Sequence, residues 1–94
     1  MIRIAAKLTV RADACEEFEK SVRELIELTR AEEGNHGFTI ARSVENPQLY
    51  CFFEAWGSQE ALEQHLNSEH FLRISPKLDA LMESAPEGET YEEI

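Results

Sequence analysis

The sequence contains few glycines and few cysteines. Its four glycines form no Gly-rich phosphate loop and no dinucleotide fingerprint, so we expect no bound nucleotide or flavin cofactor. The two cysteines, Cys15 and Cys51, form at most one bridge, which excludes a disulfide framework. Neither has an activating histidine nearby in the sequence, which argues against a cysteine nucleophile. We therefore expect both residues to be buried free thiols.

Basic residues and long apolar runs are also scarce. Nine Lys and Arg stand against nineteen Asp and Glu, and the resulting net charge of −10 argues against nucleic acid and anionic membranes as partners. Residues 1–10 alternate in polarity and form too short a stretch for a signal peptide. No apolar run long enough to cross a membrane follows. These features predict a cytoplasmic protein.

The chain of 94 residues, 43% of them hydrophobic, predicts a single globular domain over residues 1–94. Residues 2–10 alternate between apolar and polar side chains, which is typical of a strand with one apolar face. Asp13 and Glu16 resemble the capping box of a following helix. Apolar side chains then recur at helical spacing to about Ala31, so this helix should pack one face on the core.

A predicted hairpin occupies the middle of the chain. Its first strand runs from about His36 to Val44 and its second from about Leu49 to Trp56, with a turn at Asn46-Pro47. The second of these strands is apolar on both faces, which is the pattern of a strand buried on both sides.

Two helices and a short strand complete the predicted elements. Ser58 is the expected N-cap of a helix from Gln59 to about Leu66, and Asn67-Ser68 separate it from another helical stretch. In that stretch Pro76 predicts a kink or a restart. Thr90–Ile94 is expected to form a final strand. The pattern is thus β-α-β-β-α-β, a ferredoxin-like α+β fold with helices on one face of an antiparallel sheet.

The opposite face of that sheet should be an exposed apolar surface. Such surfaces mark sites of association, and a two-fold dimer that pairs two sheet faces is the simplest way to cover it. We therefore expect a homodimer in the form of a dimeric α+β barrel.

The three histidines are the first candidates for chemistry. His65 and His70 are five residues apart across a predicted helix break, which is not the spacing of a helical zinc site, so we expect no metal site. His65 has the right chemistry for a general base, because imidazole titrates near neutral pH. The alternative is that His65 binds a carboxylate or a carbonyl group and only fixes the structure.

Glu54 is unusual because it lies in the strand that is expected to be buried on both faces. A carboxylate in such a position must be paired, hydrogen-bonded or neutralised. Shifted carboxyl groups are common at functional sites, but structural ion pairs shift them too. Trp56, at the end of the same strand, either forms the wall of a cavity for a flat ligand or packs in the core.

Over nearly its whole length the sequence resembles the antibiotic biosynthesis monooxygenase (ABM) domain family. The resemblance is carried by residues 29–35 with Phe38, by Glu54-Ala55-Trp56, and by His65 followed by residues 68–71. It implies a dimeric ferredoxin-like fold with a pocket between the sheet and the helices of each subunit. Such a pocket would bring Glu54 or Trp56 near His65.

Several functions within this family are compatible with the sequence. Residues 32–38 and the later histidines resemble the small quinol monooxygenases. The same stretch, together with residues 77–82, resembles the isomerase that processes the phosphorylated autoinducer-2 signal. Haem-degrading relatives carry Asn and His where this chain has Ala6 and Ser75, which disfavours haem degradation. A dimeric domain that binds a small ligand without turning it over is the non-enzymatic alternative.

Both enzymatic interpretations require a base, an oxyanion donor and a shielded pocket. The predicted catalytic residues are His65 as base, Glu54 to orient it, and Asn35 or His70 as oxyanion donor. The predicted substrate-binding residues are Trp56, Phe71 and His36. The acidic chain disfavours a phosphorylated substrate unless cations converge on the pocket, so we predict that a small aromatic or quinol-type substrate reacts with O₂.

Overall fold

The computed structural model describes all 94 residues, Met1–Ile94. It contains four strands and three helices in the order β1 (Ile2–Thr9), α1 (Cys15–Arg30), β2 (Asn35–Arg42), β3 (Leu49–Trp56), α2 (Gln59–Leu66), α3 (Glu69–Asp79) and β4 (Glu87–Glu92). The bounds of β3 and α2 agree with the prediction. β2 and β4 lie slightly earlier in the chain than predicted.

The strands form one antiparallel sheet in the order β2-β3-β1-β4. β1 pairs with β3 over its full length, from Ile2 opposite Trp56 to Thr9 opposite Leu49. β4 pairs with the other edge of β1, which makes β1 and β3 the two central strands. The predicted ferredoxin-like α+β fold is therefore confirmed. The stretch between β3 and β4 holds two separate helices.

The helix starts depend on local capping. The side chains of Ser58 and Ser68 accept hydrogen bonds from the backbone N–H groups of Ala61 and Phe71, at 3.1 and 3.3 Å. Each serine thus satisfies one of the unpaired N–H groups in the first turn of its helix. The capping box predicted at Asp13 is wrong, because the N-cap of α1 is Ala14, with no side-chain cap. The Asp13 carboxylate instead lies 3.4 Å from the guanidinium of Arg11.

The helix α3 continues through Pro76 to Asp79. Proline removes one backbone donor from a helix and crowds the preceding turn. Pro76 lies in the last turn, where the loss of one hydrogen bond leaves the rest of the helix intact. The predicted restart near Ser75 is therefore absent.

The two faces of β3 have different environments. Tyr50, Phe52 and Trp56 belong to the buried core between the sheet and the helices, at 3%, 9% and 0% exposure. On the opposite face Phe53 is 49% exposed, and Tyr91 of β4 is 54% exposed. The helices therefore cover one face of the sheet, as predicted, and the other face carries apolar surface in contact with solvent.

Cys15 and Cys51 are free and half-buried, so the thiols are less buried than the sequence predicted. Cys51 lies on the open sheet face, where no helix covers it. None of the three helices is long and apolar enough to cross a membrane.

Candidate active site

A cavity of about 320 Å³ lies between the sheet and the helices. Its walls are largely apolar and come from both layers; among them are Phe38, Phe52, Leu62, Phe71, Leu78 and Met82. The polar side chains on its wall include Glu54 and His65, and Asp79 lies on the wall at the end of α3. A cavity of this size and lining suits one small, mostly apolar ligand that makes a few directed polar contacts.

His65 is the one buried histidine, at 2% exposure, and α2 holds it against the aromatic core. Its ring centroid lies 4.6 Å from that of Trp56 and 4.9 Å from that of Phe71. Its backbone carbonyl accepts a hydrogen bond of 2.7 Å from the Ser68 hydroxyl, in the short connection between α2 and α3. Packing on two aromatic rings and a fixed helix end restrict the orientation of the imidazole.

Glu32 provides the hydrogen-bond partner of His65. The Glu32 Oε2 atom lies 2.7 Å from Nδ1 of His65 and also 2.7 Å from Nε2 of His70. An ionised carboxylate is only an acceptor, so it selects the tautomer of a neutral His65 in which Nδ1 carries the proton. The Nε2 atom of His65 then has a free lone pair, and it makes no hydrogen bond within the chain.

The loop after α1 carries Glu32 to this position because its backbone at Gly34 packs closely against helix α2. Gly34 lies so close to α2 that a Cβ atom on it would be 2.3 Å from the Cβ of Ala61. The carbonyl of Gly34 also accepts a hydrogen bond of 2.9 Å from the N–H of Gly57, just after β3. A side chain at residue 34 would push the loop, and Glu32 with it, away from the helix that carries His65.

Glu54 lies on the cavity wall, and its hydrogen-bond partner is Trp56 and not His65. Its Oε1 atom accepts a hydrogen bond of 3.0 Å from the indole Nε1 of Trp56, two residues along the same face of β3. Burial raises the pKa of the Glu54 carboxyl above its ordinary value, and the nearby Glu32 charge adds to this effect. The Trp56 hydrogen bond and the proximity of His65 lower that pKa and offset part of the rise.

The structure brings some of the predicted site residues together. His65, Glu54 and Phe71 line the cavity. His70 contacts the same Glu32 carboxylate as His65 but does not line the cavity, and Trp56 lies behind His65. The prediction that Glu54 orients His65 is wrong, because the carboxylate on Nδ1 belongs to Glu32.

Asn35 and His36 lie away from the cavity. The Asn35 amide donates hydrogen bonds to the carbonyl oxygens of Gly37 and Ala55, at 3.1 and 3.4 Å, where the β2–β3 pairing is irregular. Its amide N–H groups are thus engaged by the backbone. His36 is exposed and lies beside Gly57. In this structure neither side chain is placed to contact a ligand in the cavity.

Reasoning from the sequence missed the role of Glu32. An acidic residue in a turn after a helix is ordinary, and nothing in its neighbours marks it as a partner of a histidine 33 residues later. The available signal was indirect: Glu32 belongs to the segment around Gly34 that carries the family resemblance.

No lysine or arginine lines the cavity. Arg42 and Arg73 are engaged elsewhere on the surface. Arg42 pairs with Glu19 at 2.8 Å, and Arg73 pairs with Glu24 and Glu69 at 2.9 and 2.7 Å. The local charge is therefore unsuited to a phosphate or carboxylate group.

The fold and the site define a small ferredoxin-like domain with a buried, carboxylate-bound histidine facing an aromatic cavity. The chain belongs to the antibiotic biosynthesis monooxygenase family, whose model matches residues 1–77.

Individual relatives agree with this assignment. YcnE of Bacillus subtilis strain 168, which is provisionally named as a monooxygenase, is 30% identical over 86 residues, or 92% of this chain and 90% of YcnE. The structure of a conserved protein from Methanosarcina mazei Go1 superposes with a TM-score of 0.96 at 32% identity, and covers 99% of this chain and 92% of that one. PA3566 from Pseudomonas aeruginosa gives a TM-score of 0.89 at 28% identity, with coverages of 99% and 93%.

Proposed function

We propose that this protein is a cofactor-independent monooxygenase that hydroxylates a small, neutral quinol or phenol with O₂. The observation that carries the proposal is the arrangement of His65. Its Nδ1 is bound by Glu32, its ring is clamped between aromatic side chains, and it faces a cavity of about 320 Å³. Membership of the monooxygenase family and the similarity to YcnE support the reaction type.

The first step is removal of a proton from a substrate hydroxyl group. The lone pair on Nε2 of His65 accepts this proton, and the Glu32 carboxylate stabilises the imidazolium that forms. The product of this step is an electron-rich oxyanion held in an apolar cavity. Such an anion can transfer an electron to O₂, which the neutral phenol does far less readily.

The remaining steps use only the substrate and O₂. After electron transfer, a C–O bond forms between a ring carbon and one oxygen atom, and the imidazolium returns its proton to the distal oxygen. The O–O bond then breaks as the ring carbon loses its hydrogen, which leaves a new C=O group and releases water. The sum is hydroquinone plus O₂ giving hydroxyquinone plus H₂O, so the substrate supplies both electrons that reduce the second oxygen atom.

In this proposal Glu54, on the cavity wall, binds a second oxygen atom of the same substrate. Burial favours its neutral form, and a neutral carboxyl group donates a hydrogen bond as well as accepting the one from Trp56. A donor on the cavity wall can stabilise negative charge that spreads to a second ring oxygen. This arrangement favours a quinol with two oxygens over a simple phenol.

The isomerase alternative is less well supported. A phosphorylated hydroxyketone requires cations at its phosphate group, and none line the cavity.

The test is oxygen consumption on a panel of hydroquinones, with His65→Gln compared with wild type. The variant should lose roughly 100-fold or more in kcat/KM, because Gln cannot accept the proton. His36→Gln is the matched control, since His36 is exposed and does not line the cavity, and it should retain wild-type rates. No oxygen uptake with any quinol, or equal uptake by His65→Gln, would exclude the proposal.

A further inference from the structure

Glu32, His65 and His70 form a cluster of potential metal ligands beside the cavity. One ligand atom from each residue lies within 4.8 Å of the other two. We propose that these three side chains form a binding site for a divalent transition-metal ion of the Zn²⁺ class. We propose further that an ion bound there switches off the base at His65, a consequence that rests on the proposed function.

The donor set is the right kind for such an ion. Two imidazole nitrogens and one carboxylate oxygen, with further positions left for water, are common ligands of Zn²⁺ and related metals. The three residues come from three different segments, namely the loop after α1, the helix α2 and the first turn of α3. The spacing of the histidines in the sequence gave no sign of a site, because the third ligand comes from a distant part of the chain.

The geometry requires only local adjustment. Metal–ligand bonds of about 2.0–2.2 Å in a tetrahedral site place neighbouring ligand atoms about 3.3–3.6 Å apart. The Glu32 oxygen already lies 2.7 Å from each of the two nitrogens. To bind an ion, the two imidazole nitrogens must approach each other while the carboxylate oxygen moves aside, which rotations of the side chains can supply.

The burial of the cluster also suits a bound ion. The side chain of His65 is 3% exposed, whereas those of Glu32 and His70 are each 16% exposed. An ion can therefore enter from the side of Glu32 and His70 and reach His65 without opening the core. The rings of Trp56 and Phe71 pack against the His65 ring, and this restriction lowers the entropy lost when the ring becomes a ligand.

Metal binding and base catalysis exclude each other at His65. An ion on Nδ1 uses the lone pair of that nitrogen, so the neutral imidazole must carry its proton on Nε2 instead. Nε2 then faces the cavity as an N–H donor and can no longer accept a proton from a substrate. The ion also removes Glu32 as the partner that stabilises the imidazolium. A bound metal ion would thus inhibit a reaction that depends on this base.

Binding is tested first, without reference to activity. The protein is titrated with Zn²⁺ by calorimetry and with Co²⁺ by visible absorption, in which a site of low coordination number gives an intense d–d band. Wild type should bind one equivalent. His70→Ala and Glu32→Gln should bind about tenfold or more weakly, because each lacks one ligand. His36→Ala, which removes an exposed histidine, should bind as wild type does.

Two results would overturn the site. One is equal affinity of wild type, His70→Ala and Glu32→Gln, which would indicate adventitious binding by surface carboxylates. The other is loss of binding in His36→Ala alone. Urea unfolding of each variant distinguishes a lost ligand from a lost fold.

Inhibition is tested second, by oxygen uptake with a quinol in the presence of one equivalent of Zn²⁺. Uptake should fall to a few per cent of its initial rate and recover with a chelator. Unchanged or faster uptake at full occupancy would overturn the inhibitory role while leaving the binding site in place. Absence of uptake with every quinol would refute the proposed function and the inhibition together, and the titration would still decide the site.

Discussion

Two glutamates near His65 illustrate how environment assigns different tasks to one residue type. The Glu32 Oε2 atom lies 2.7 Å from a ring nitrogen of His65 and 2.7 Å from a ring nitrogen of His70. Glu54 is buried on the cavity wall with a single hydrogen bond from Trp56, and burial raises its pKa. The two carboxyl groups therefore have different tasks: Glu32 holds the two imidazoles, whereas burial favours the neutral form of Glu54.

The raised pKa of Glu54 predicts a pH-dependent contribution to stability. Between its ordinary pKa of 4.5 and its raised value, the folded state binds more protons than the unfolded state, so the free energy of unfolding rises as pH falls through this window. At higher pH the folded state carries a poorly solvated carboxylate. Glu54→Gln removes this penalty and keeps an acceptor for Trp56. The variant should be more stable than wild type at pH 8, and the difference should decrease toward pH 4.

The measurement is urea unfolding of both proteins at several pH values. Glu32 and His65 are the charged or titratable neighbours of Glu54. The double variant Glu32→Gln/Glu54→Gln shows how much of the pH dependence comes from the charge of Glu32. A constant stability difference between pH 4 and pH 8 would contradict the assignment.

The elements that position the site are the short connections between helices and strands. The loop from Ala31 to Gly34 carries Glu32 to α2, and the break at Asn67-Ser68 turns the chain so that His70 approaches from a second helix. Ser68 links these parts, since it caps α3 and donates to the carbonyl of His65. The helix α2 therefore carries the candidate base, and the two loops bring Glu32 and Ser68 to it.

Gly34 is the residue at which the loop after α1 packs most closely against α2. Gly34→Ala should lower the free energy of unfolding by roughly 1–3 kcal/mol, because the new Cβ overlaps that of Ala61 and the loop must shift. Oxygen uptake should fall as well, since the shift moves Glu32. Denaturant unfolding and turnover measure the two effects.

A compensating change provides the control. Gly34→Ala combined with Ala61→Gly relieves the overlap and should recover part of the stability, less about 1 kcal/mol for a glycine in a helix. Gly88→Ala, where a Cβ would lie 3.7 Å from that of Ala6, should have little effect. Additive losses in the double variant would show that steric contact is not the cause.

The molecule as a whole covers only one face of its sheet. Phe53 and Tyr91 project from the open face at 49% and 54% exposure, and a shallow groove lined by Leu49 and Cys51 runs between them. A solvent-exposed aromatic groove over central strands is unfavourable for a free monomer. We propose that two copies pair through this face, which would bury it while leaving the cavity on the other side of the sheet.

Sedimentation at micromolar concentration tests the pairing. Wild type should have twice the 10.8 kDa mass of the chain, and Phe53→Asp should shift the population toward monomer, because a charge in an apolar interface is poorly solvated. Leu72→Asp is the matched control, since Leu72 is 59% exposed on a helix at the opposite side of the molecule, and this variant should remain a dimer. A wild-type mass of 10.8 kDa would refute the proposal.

The sequence by itself determined the fold class and the bounds of β3 and α2, and it pointed to His65 as a candidate base. Alternation in polarity and helical spacing are local patterns, and a strand that is apolar on both faces indicates burial wherever it lies. Only the tertiary structure decided that Tyr50, Phe52, Glu54 and Trp56 face the helices, because both faces of β3 have similar composition. It also decided that Glu32 binds His65, since contacts between residues 33 positions apart depend on how loops fold back and not on local pattern.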